Sequence, residues 1–163
     1  MDTSISRTVR ADPAVIFDLA AEVQDWPRIL PHYRWVRVLA RAGPHQRTVE
    51  MAARRDVVGR IVAVPLHWVA VETTDPDRGR IEFEHIGGIT KGMRVAWTIE
   101  RSSDSTVHVR IRHVFEPNWP VPSVLVRLVV GEYFVNGVAR RTLRRIADLA
   151  ESRMRQFEIS EQA

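Results

Sequence analysis

The sequence predicts an α+β fold in which a curved antiparallel sheet of about seven strands is closed by one long C-terminal helix. Residues 3–117 read as short helices and alternating strands, whereas residues 121–156 carry one continuous amphipathic helical pattern. A helix of that size would be about 50 Å long, which is too long for the edge of a compact domain. We therefore expect it to lie across the sheet and to enclose a cavity.

The N-terminal part predicts one strand followed by two short helices. Residues 4–10 alternate between apolar and polar side chains, as a half-buried strand does. Asp12 and Pro13 then supply a helix cap and a proline at the first helical position. The tripeptide Asp25-Trp26-Pro27 repeats this arrangement and predicts a second helix over residues 27–30.

Six further segments show a period of two and predict six more strands. They begin near residues 33, 49, 61, 81, 93 and 107. The short connections between them favour antiparallel pairing, and the one-sided alternation predicts one buried face. Pro65 lies inside the longest segment and predicts a sheet edge or a bulge there. An apolar stripe from Val124 to Leu149 on the last helix would cover the buried face.

Composition limits the functional classes. The 163 residues suit a single domain spanning residues 1–163. The chain has no cysteine and no paired-histidine motif, so we expect neither a metal site nor a cofactor. The first residues lack the features of a signal peptide, and the longest apolar run, residues 124–130, is too short to span a bilayer. These features predict a cytoplasmic protein.

Four arginines, Arg140, Arg141, Arg144 and Arg145, cluster on the last helix of a chain whose net charge is +4. The other arginines are mixed with 20 acidic residues, which argues against DNA binding. Two interpretations of the cluster remain open. It is either the solvated face of an amphipathic helix or a docking face for RNA, the ribosome or an anionic membrane.

Two histidines and one arginine are predicted to point from the strands into the interior. His85 and His113 are in phase with apolar neighbours, and Arg55 follows the inward residues of its strand. A neutral histidine in an apolar pocket can exchange a proton near neutral pH, which makes both histidines candidate catalytic residues. An interior arginine needs an acidic partner or an anionic ligand. The alternative is that these groups only form structural hydrogen bonds.

The predicted interior also contains more aromatic and thioether side chains than core filling alone requires, although core packing remains the alternative. Glycine costs about 1 kcal/mol inside a helix, a cost that is tolerable where a ligand approaches the backbone closely. The candidate ligand-binding residues are Trp26, Tyr33, Met51, Arg55, Trp68, Phe83, Met93, Trp97, Phe115, Trp119, Gly131 and Val135.

Three segments, residues 23–31, 88–93 and 134–143, resemble the helix-grip superfamily of START domains, birch-pollen-allergen-like proteins and polyketide cyclases. Together they are most similar to the polyketide cyclase/dehydrase branch, which includes coenzyme Q-binding START-like proteins and the ribosome-association toxin. The resemblance covers almost the whole chain. It implies a helix-grip fold with a small hydrophobic ligand in an internal cavity.

The resemblance to tetracenomycin-type aromatase/cyclases implies that Trp, Tyr, Ser and Arg side chains orient a polyketide. Trp26 and Tyr33 match two of these positions, and a Trp-x-Ser-x-Arg motif falls on Trp68, Ala70 and Glu72. The serine is thus a methyl group here and the arginine a carboxylate. Because a carboxylate repels a developing enolate, the same mechanism is not expected. Glu72 instead becomes a candidate general base.

Three functions follow as hypotheses. The first is a cyclase or dehydratase that uses His85, His113 and Glu72. The second is a carrier that binds a quinone, lipid or polyketide without changing it. The third is a module that docks on the ribosome or a membrane through the arginine cluster. The chain would act as a monomer or a homodimer.

Overall fold

The computed structural model describes residues 1–58, 62–88, 90–102, 105–115 and 137–161. The first strand is followed by two short helices and a 3-10 turn, then by six strands and a long helix. In chain order these are β1 (Asp2–Val9), α1 (Pro13–Ala21), the 3-10 turn (Val23–Asp25), α2 (Trp26–Ile29), β2 (Tyr33–Arg41), β3 (Gln46–Val58), β4 (Val62–Asp75), β5 (Arg80–Gly88), β6 (Met93–Arg101), β7 (Val107–Phe115) and α3 (Arg140–Glu161).

The seven strands form one antiparallel sheet in the order β1-β7-β6-β5-β4-β3-β2. Each strand from β2 to β7 pairs with its neighbour in sequence, and β1 joins the far edge by pairing with β7, with Ile5 opposite Ile111. The sheet is curved and α3 closes it, as the sequence predicted. Among the described elements, α3 contacts β1 and α1.

Alternation along the strands places one face of the sheet in the core. On β5 the side chains of Ile81, Phe83 and His85 are buried while their neighbours are exposed, and β6 and β7 follow the same pattern. This agreement is expected because successive side chains of a strand point to opposite faces. The predicted inward residues therefore share the concave face.

Helix α1 begins as its capping residue predicts, whereas Asp25, the predicted cap of α2, forms no side-chain capping hydrogen bond. The Asp12 carboxylate accepts a hydrogen bond from the Ala14 amide at 2.7 Å, and Pro13 occupies the first turn of α1. Helix α2 begins at Trp26, one residue before the predicted start. The Trp26 indole donates to the Leu19 carbonyl at 3.1 Å, which fixes the ring between α1 and the sheet.

Pro65 lies near the start of β4. Its register partner on β3 is Arg54, and within the described residues β4 pairs with β5 from Trp68 onward. The edge or bulge expected at this proline, which cannot donate to the ladder, stays a prediction.

The C-terminal helix ends later than predicted. A π-helical turn at residues 137–139 leads into α3, which continues to Glu161, so the predicted end at residue 156 is wrong. No glycine or proline follows Gln156 to stop the helix, and Glu158 forms an ion pair with Arg10 at 3.2 Å. Residues 121–136 of the predicted helix lie outside the described residues.

The described part of the helical stripe is buried as predicted, except that Leu149 is half-buried. Val138, Thr142 and Ile146 are each at most 2% exposed and face the sheet. None of the described helices is both long and apolar enough to cross a membrane.

Candidate functional site

A small cavity lies between the concave face of the sheet and the first turns of the C-terminal helix. Its volume is about 40 Å³. Its lining comes from α2, from strands β2 to β7 and from the helix, and consists of Trp26, Tyr33, Met51, Trp68, Phe83, His85, Val95, Trp97, Ile111, His113, Val138, Ala139 and Thr142. Ligand pockets usually measure about 300–1,000 Å³. Among the described residues, the side chains leave only this small space between the sheet and the helix.

Aromatic rings form one contiguous wall of the cavity. Trp26 meets Tyr33 edge-on, with ring centroids 4.9 Å apart, and lies 6.4 Å from Trp97. Tyr33 in turn lies 6.0 Å from Trp68, whose plane is parallel to the His85 ring to within 2°. These separations are typical of favourable ring pairs. The wall presents aromatic edges and faces on which a flat, apolar ligand can pack.

His85 is held at the cavity by the turn that follows its strand. Its Nδ1 lies 2.6 Å from the Thr90 hydroxyl, and its carbonyl accepts from the Gly92 amide at 2.8 Å. Gly88 lets this turn form because its φ is +83°, and a Cβ there would lie 2.3 Å from the His67 carbonyl oxygen. Glycine is therefore required where β5 approaches β4 most closely.

His113 enters the same cavity from β7, where it lies opposite Val95 of β6. Burial lowers the pKa of His113 to about 4. Burial lowers the pKa of His85 to about 3, with a further contribution from the charge of His113. Desolvation disfavours the imidazolium form, so both rings are neutral at pH 7. Each neutral ring offers one N–H donor and is a weak base.

A second hydrogen-bond group joins the sheet to the helix at Thr142. The Thr142 hydroxyl donates to the Val138 carbonyl at 3.0 Å and lies 2.9 Å from His32 Nε2. Because its single hydrogen is used, it accepts from His32 Nε2–H. Burial lowers the pKa of His32 to about 4, with Arg141 contributing, and burial raises the pKa of Tyr33. All three side chains are therefore neutral at pH 7.

Glu72, the third candidate catalytic residue, is buried beside Arg47 and away from the aromatic cavity. Its carboxylate pairs with the Arg47 guanidinium of β3, at 2.5 Å from Nε and 3.2 Å from Nη2. Arg47 also donates to the Ala21 carbonyl at the end of α1 and pairs with Glu22 at 3.2 Å. Burial raises the pKa of Glu72, and Arg47 offsets part of the rise. Glu72 lines an outer cleft together with Arg47, so the structure does not bring it to the two histidines.

The structure thus collects six of the twelve predicted ligand-binding residues around one cavity. Met93 and Phe115 are buried in the core, where they face each other across β6 and β7. The backbone of Arg55 lies in β3, but its side chain is outside the described residues, as are Trp119, Gly131 and Val135. The prediction that His85 and His113 point inward is confirmed.

Sequence reasoning missed three residues that organise this region. His32 lies between Pro31 and the start of β2, where no periodic pattern marks it as buried. Thr142 falls on the apolar stripe of the helix, which was the signal that could have placed it at the cavity. Arg47 could be found only from the register that sets it opposite Glu72. Among the described residues, no group of three or more acidic or histidine side chains has the geometry to hold a metal ion.

Comparison with known families agrees with this geometry. Residues 9–141 match the family model described as "Polyketide cyclase / dehydrase and lipid transport". The chain belongs to this family. The match covers α1, α2, all strands from β2 to β7 and the first two residues of α3. The polyketide cyclase branch of the helix-grip superfamily, suggested by the sequence motifs, is confirmed.

The similar proteins include a relative found by sequence and several solved structures. The granaticin polyketide synthase bifunctional cyclase/dehydratase of Streptomyces violaceoruber is 29% identical over 147 residues, which are 89% of this chain but only 42% of that protein. The Zhui aromatase/cyclase from Streptomyces sp. R1128 has a similar structure, with a TM-score of 0.78, 18% identity and coverage of 94% and 95% of the two chains.

A START superfamily protein from Mycobacterium smegmatis also matches, with a TM-score of 0.64, 19% identity and coverage of 96% and 98% of the two chains. At these low identities, the structural matches show a shared fold.

Proposed function

We propose that the chain binds a polyketide-like molecule between the sheet and α3 and catalyses its cyclisation or dehydration. The observation that carries the proposal is the position of two buried, neutral histidines, His85 and His113, on one aromatic cavity. Family membership and the likeness to a named cyclase/dehydratase support the same chemistry. The activity remains a proposal because the chain spans less than half of that relative.

The histidines would act as hydrogen-bond donors to the substrate oxygens. Cyclisation of a poly-β-keto chain passes through an enolate. It forms when the acidic proton between two carbonyl groups passes to solvent water, and its negative charge develops on a carbonyl oxygen. A pKa of about 3 to 4 makes each imidazole a weak base, but its neutral N–H can stabilise that oxygen inside a site with little water. The proposal therefore differs from the sequence hypothesis, in which the histidines and Glu72 exchange protons.

Binding would require the cavity to expand. The volume of about 40 Å³ is far below the roughly 300–1,000 Å³ of typical ligand pockets. A polycyclic ligand that enters between the described elements must therefore displace some of the aromatic rings that line the cavity. We expect the indole NMR signals of Trp26, Trp68 and Trp97 to shift when ligand is added, because these rings line the cavity.

The first experiment measures turnover of a poly-β-keto thioester mimic by the wild type, His85→Gln and His113→Gln. Loss of one donor to an enolate oxygen costs about 10²-fold in kcat. The matched control is His108→Gln, which changes the outer face of the same strand that carries His113. This control is expected to retain the wild-type rate.

Two results would contradict the enzyme assignment. One is an unchanged rate in both folded cavity variants. The other is a wild type that binds the mimic, detected by native mass spectrometry, without converting it. The second result would favour the carrier function, since an aromatic wall with few polar groups also suits an unreacted quinone or lipid.

A further inference from the structure

A second cleft, about 510 Å³ in volume, lies on the opposite side of His32 from the aromatic cavity. It is formed by the segment before β2, by β3 and by the first three turns of α3. We call it the arginine cleft, and its lining consists of Pro31, His32, Arg54, Arg141, Arg144, Arg145 and Asp148.

The charges in the arginine cleft are strongly unbalanced. Four guanidinium groups line it, against a single carboxylate, Asp148, which pairs with Arg7 at 3.0 Å. Within the described ranges, no ion pair joins any of the four arginines to an acidic side chain. Arg54, Arg144 and Arg145 are exposed, so water screens their mutual repulsion, but an anion in the cleft would be attracted by all four charges at once.

The cleft is also partly pre-organised. Arg145 Nε donates to the Ile29 carbonyl at 3.3 Å, which orients this side chain along α2. Arg141 is half-buried beside His32, while Arg54 approaches from a different element, β3. Guanidinium groups that converge from a helix and a strand suit the several oxygens of one phosphate, because each can donate two parallel hydrogen bonds.

We propose that the arginine cleft is a binding site for a phosphate-type anion. Its volume exceeds that of a single phosphate, so it fits pyrophosphate or the phosphate end of an organic ester. His32 and Thr142 form the wall between this cleft and the aromatic cavity. The site is defined by its own charges and stands whether or not the cavity binds a polyketide.

Calorimetric titration with inorganic pyrophosphate at about 100 mM salt tests the proposal. We expect saturable binding that weakens at least tenfold in the double variant Arg141→Gln/Arg144→Gln. Arg153→Gln/Arg155→Gln is the matched control: it removes the same charge from the same helix outside the cleft, and screening limits its effect to less than twofold. Arg54→Gln removes the positive charge that β3 contributes to the cleft, so it tests the contribution of this strand to pyrophosphate binding independently of α3.

Two further measurements complete the test. Pyrophosphate should shift the His32 ring signals in NMR spectra of the wild type and not of the cleft variant. Hexyl phosphate distinguishes the source of the anion, since tighter binding than that of inorganic phosphate indicates an organic phosphate ester and equal binding indicates free phosphate.

Three outcomes would overturn the proposal. One is the absence of saturable pyrophosphate binding. Another is equal weakening in the cleft variant and the control, which would indicate only general attraction. The third is salt-sensitive binding of an RNA oligonucleotide or of anionic vesicles by a protein that does not bind pyrophosphate, which would assign the arginines to a macromolecular surface.

Discussion

Among the described residues, two of the buried sets of polar side chains differ in charge. His85 and His113 line the aromatic cavity as neutral rings, because burial lowers the pKa of each far below 6.5. Arg47 and Glu72, at the end of the interior beneath α1, meet as a pair with complementary charges. Glu72 is 0% exposed, whereas the Arg47 side chain remains 12% exposed.

The difference follows from what surrounds each set. The walls near the histidines are indole, phenyl and aliphatic groups, which cannot solvate a cation, so loss of the proton is the least costly solution. Glu72 has Arg47 directly opposite on β3, and the guanidinium also reaches the Ala21 carbonyl and Glu22. Neutral donors suit an apolar ligand, whereas the charged pair ties two strands to a helix.

The largest expected effect comes from breaking the charged pair. Arg47→Met leaves a fully buried carboxylate without its partner, which typically costs about 3–5 kcal/mol of unfolding free energy. Urea denaturation followed by circular dichroism measures the loss. The double variant Arg47→Met/Glu72→Leu should recover most of it, because both charges are then gone.

An exposed ion pair provides the control for this first prediction. Arg28→Met removes the partner of Asp25, and the two side chains are 77% and 50% exposed. Surface pairs contribute about 0–1 kcal/mol, so little stability should be lost. If Arg47→Met were no more destabilising than Arg28→Met, the pair would have no structural role.

A smaller effect is expected at the neutral hydrogen-bond group beside the cavity. Thr142→Val keeps the shape of the side chain but removes the acceptor for His32 Nε2–H and the hydroxyl that donates to the Val138 carbonyl. Leaving buried polar groups unsatisfied costs about 1–3 kcal/mol each. We expect a total loss of about 2 kcal/mol in the same urea assay, and near wild-type stability for Thr142→Ser, which retains the hydroxyl. Equal losses in both variants would show that packing, and not the hydroxyl, matters here.

The sequence predicted the strands well because alternation is local. Phe83, His85 and Trp97 could be assigned to the inner face from the period of their own strands. Pairing across strands is not local, since it depends on register. The motif on β4 therefore suggested Glu72 as a base facing the ligand, whereas the register places Arg47 opposite it and makes it half of an ion pair.

The cavity was predictable in composition but not in volume. Tryptophan, tyrosine and histidine side chains could be assigned to one wall, yet their number does not tell whether the rings enclose a space or fill it. That depends on rotamers and on distances of a few ångströms between elements. The structure shows rings that leave about 40 Å³.

The pH dependence of stability distinguishes the two sets most directly. Between pH 6.5 and about 4 the unfolded chain protonates His113 while the folded chain does not, so acid lowers the unfolding free energy through this residue. His113→Asn should therefore reduce the slope of unfolding free energy against pH by about 1 kcal/mol per pH unit near pH 5.

Glu72→Gln should change this slope in the opposite direction. The raised pKa of Glu72 means that the folded chain retains a proton which the unfolded chain loses near pH 4.5, so acid favours folding through this residue. Its removal makes the decline in acid steeper. Urea titrations at pH 4.5, 5.5 and 6.5 measure both slopes. If both variants changed the slope of unfolding free energy against pH in the same direction, burial would not shift the pKa values of His113 and Glu72 in opposite directions, and the contrast drawn here would be wrong.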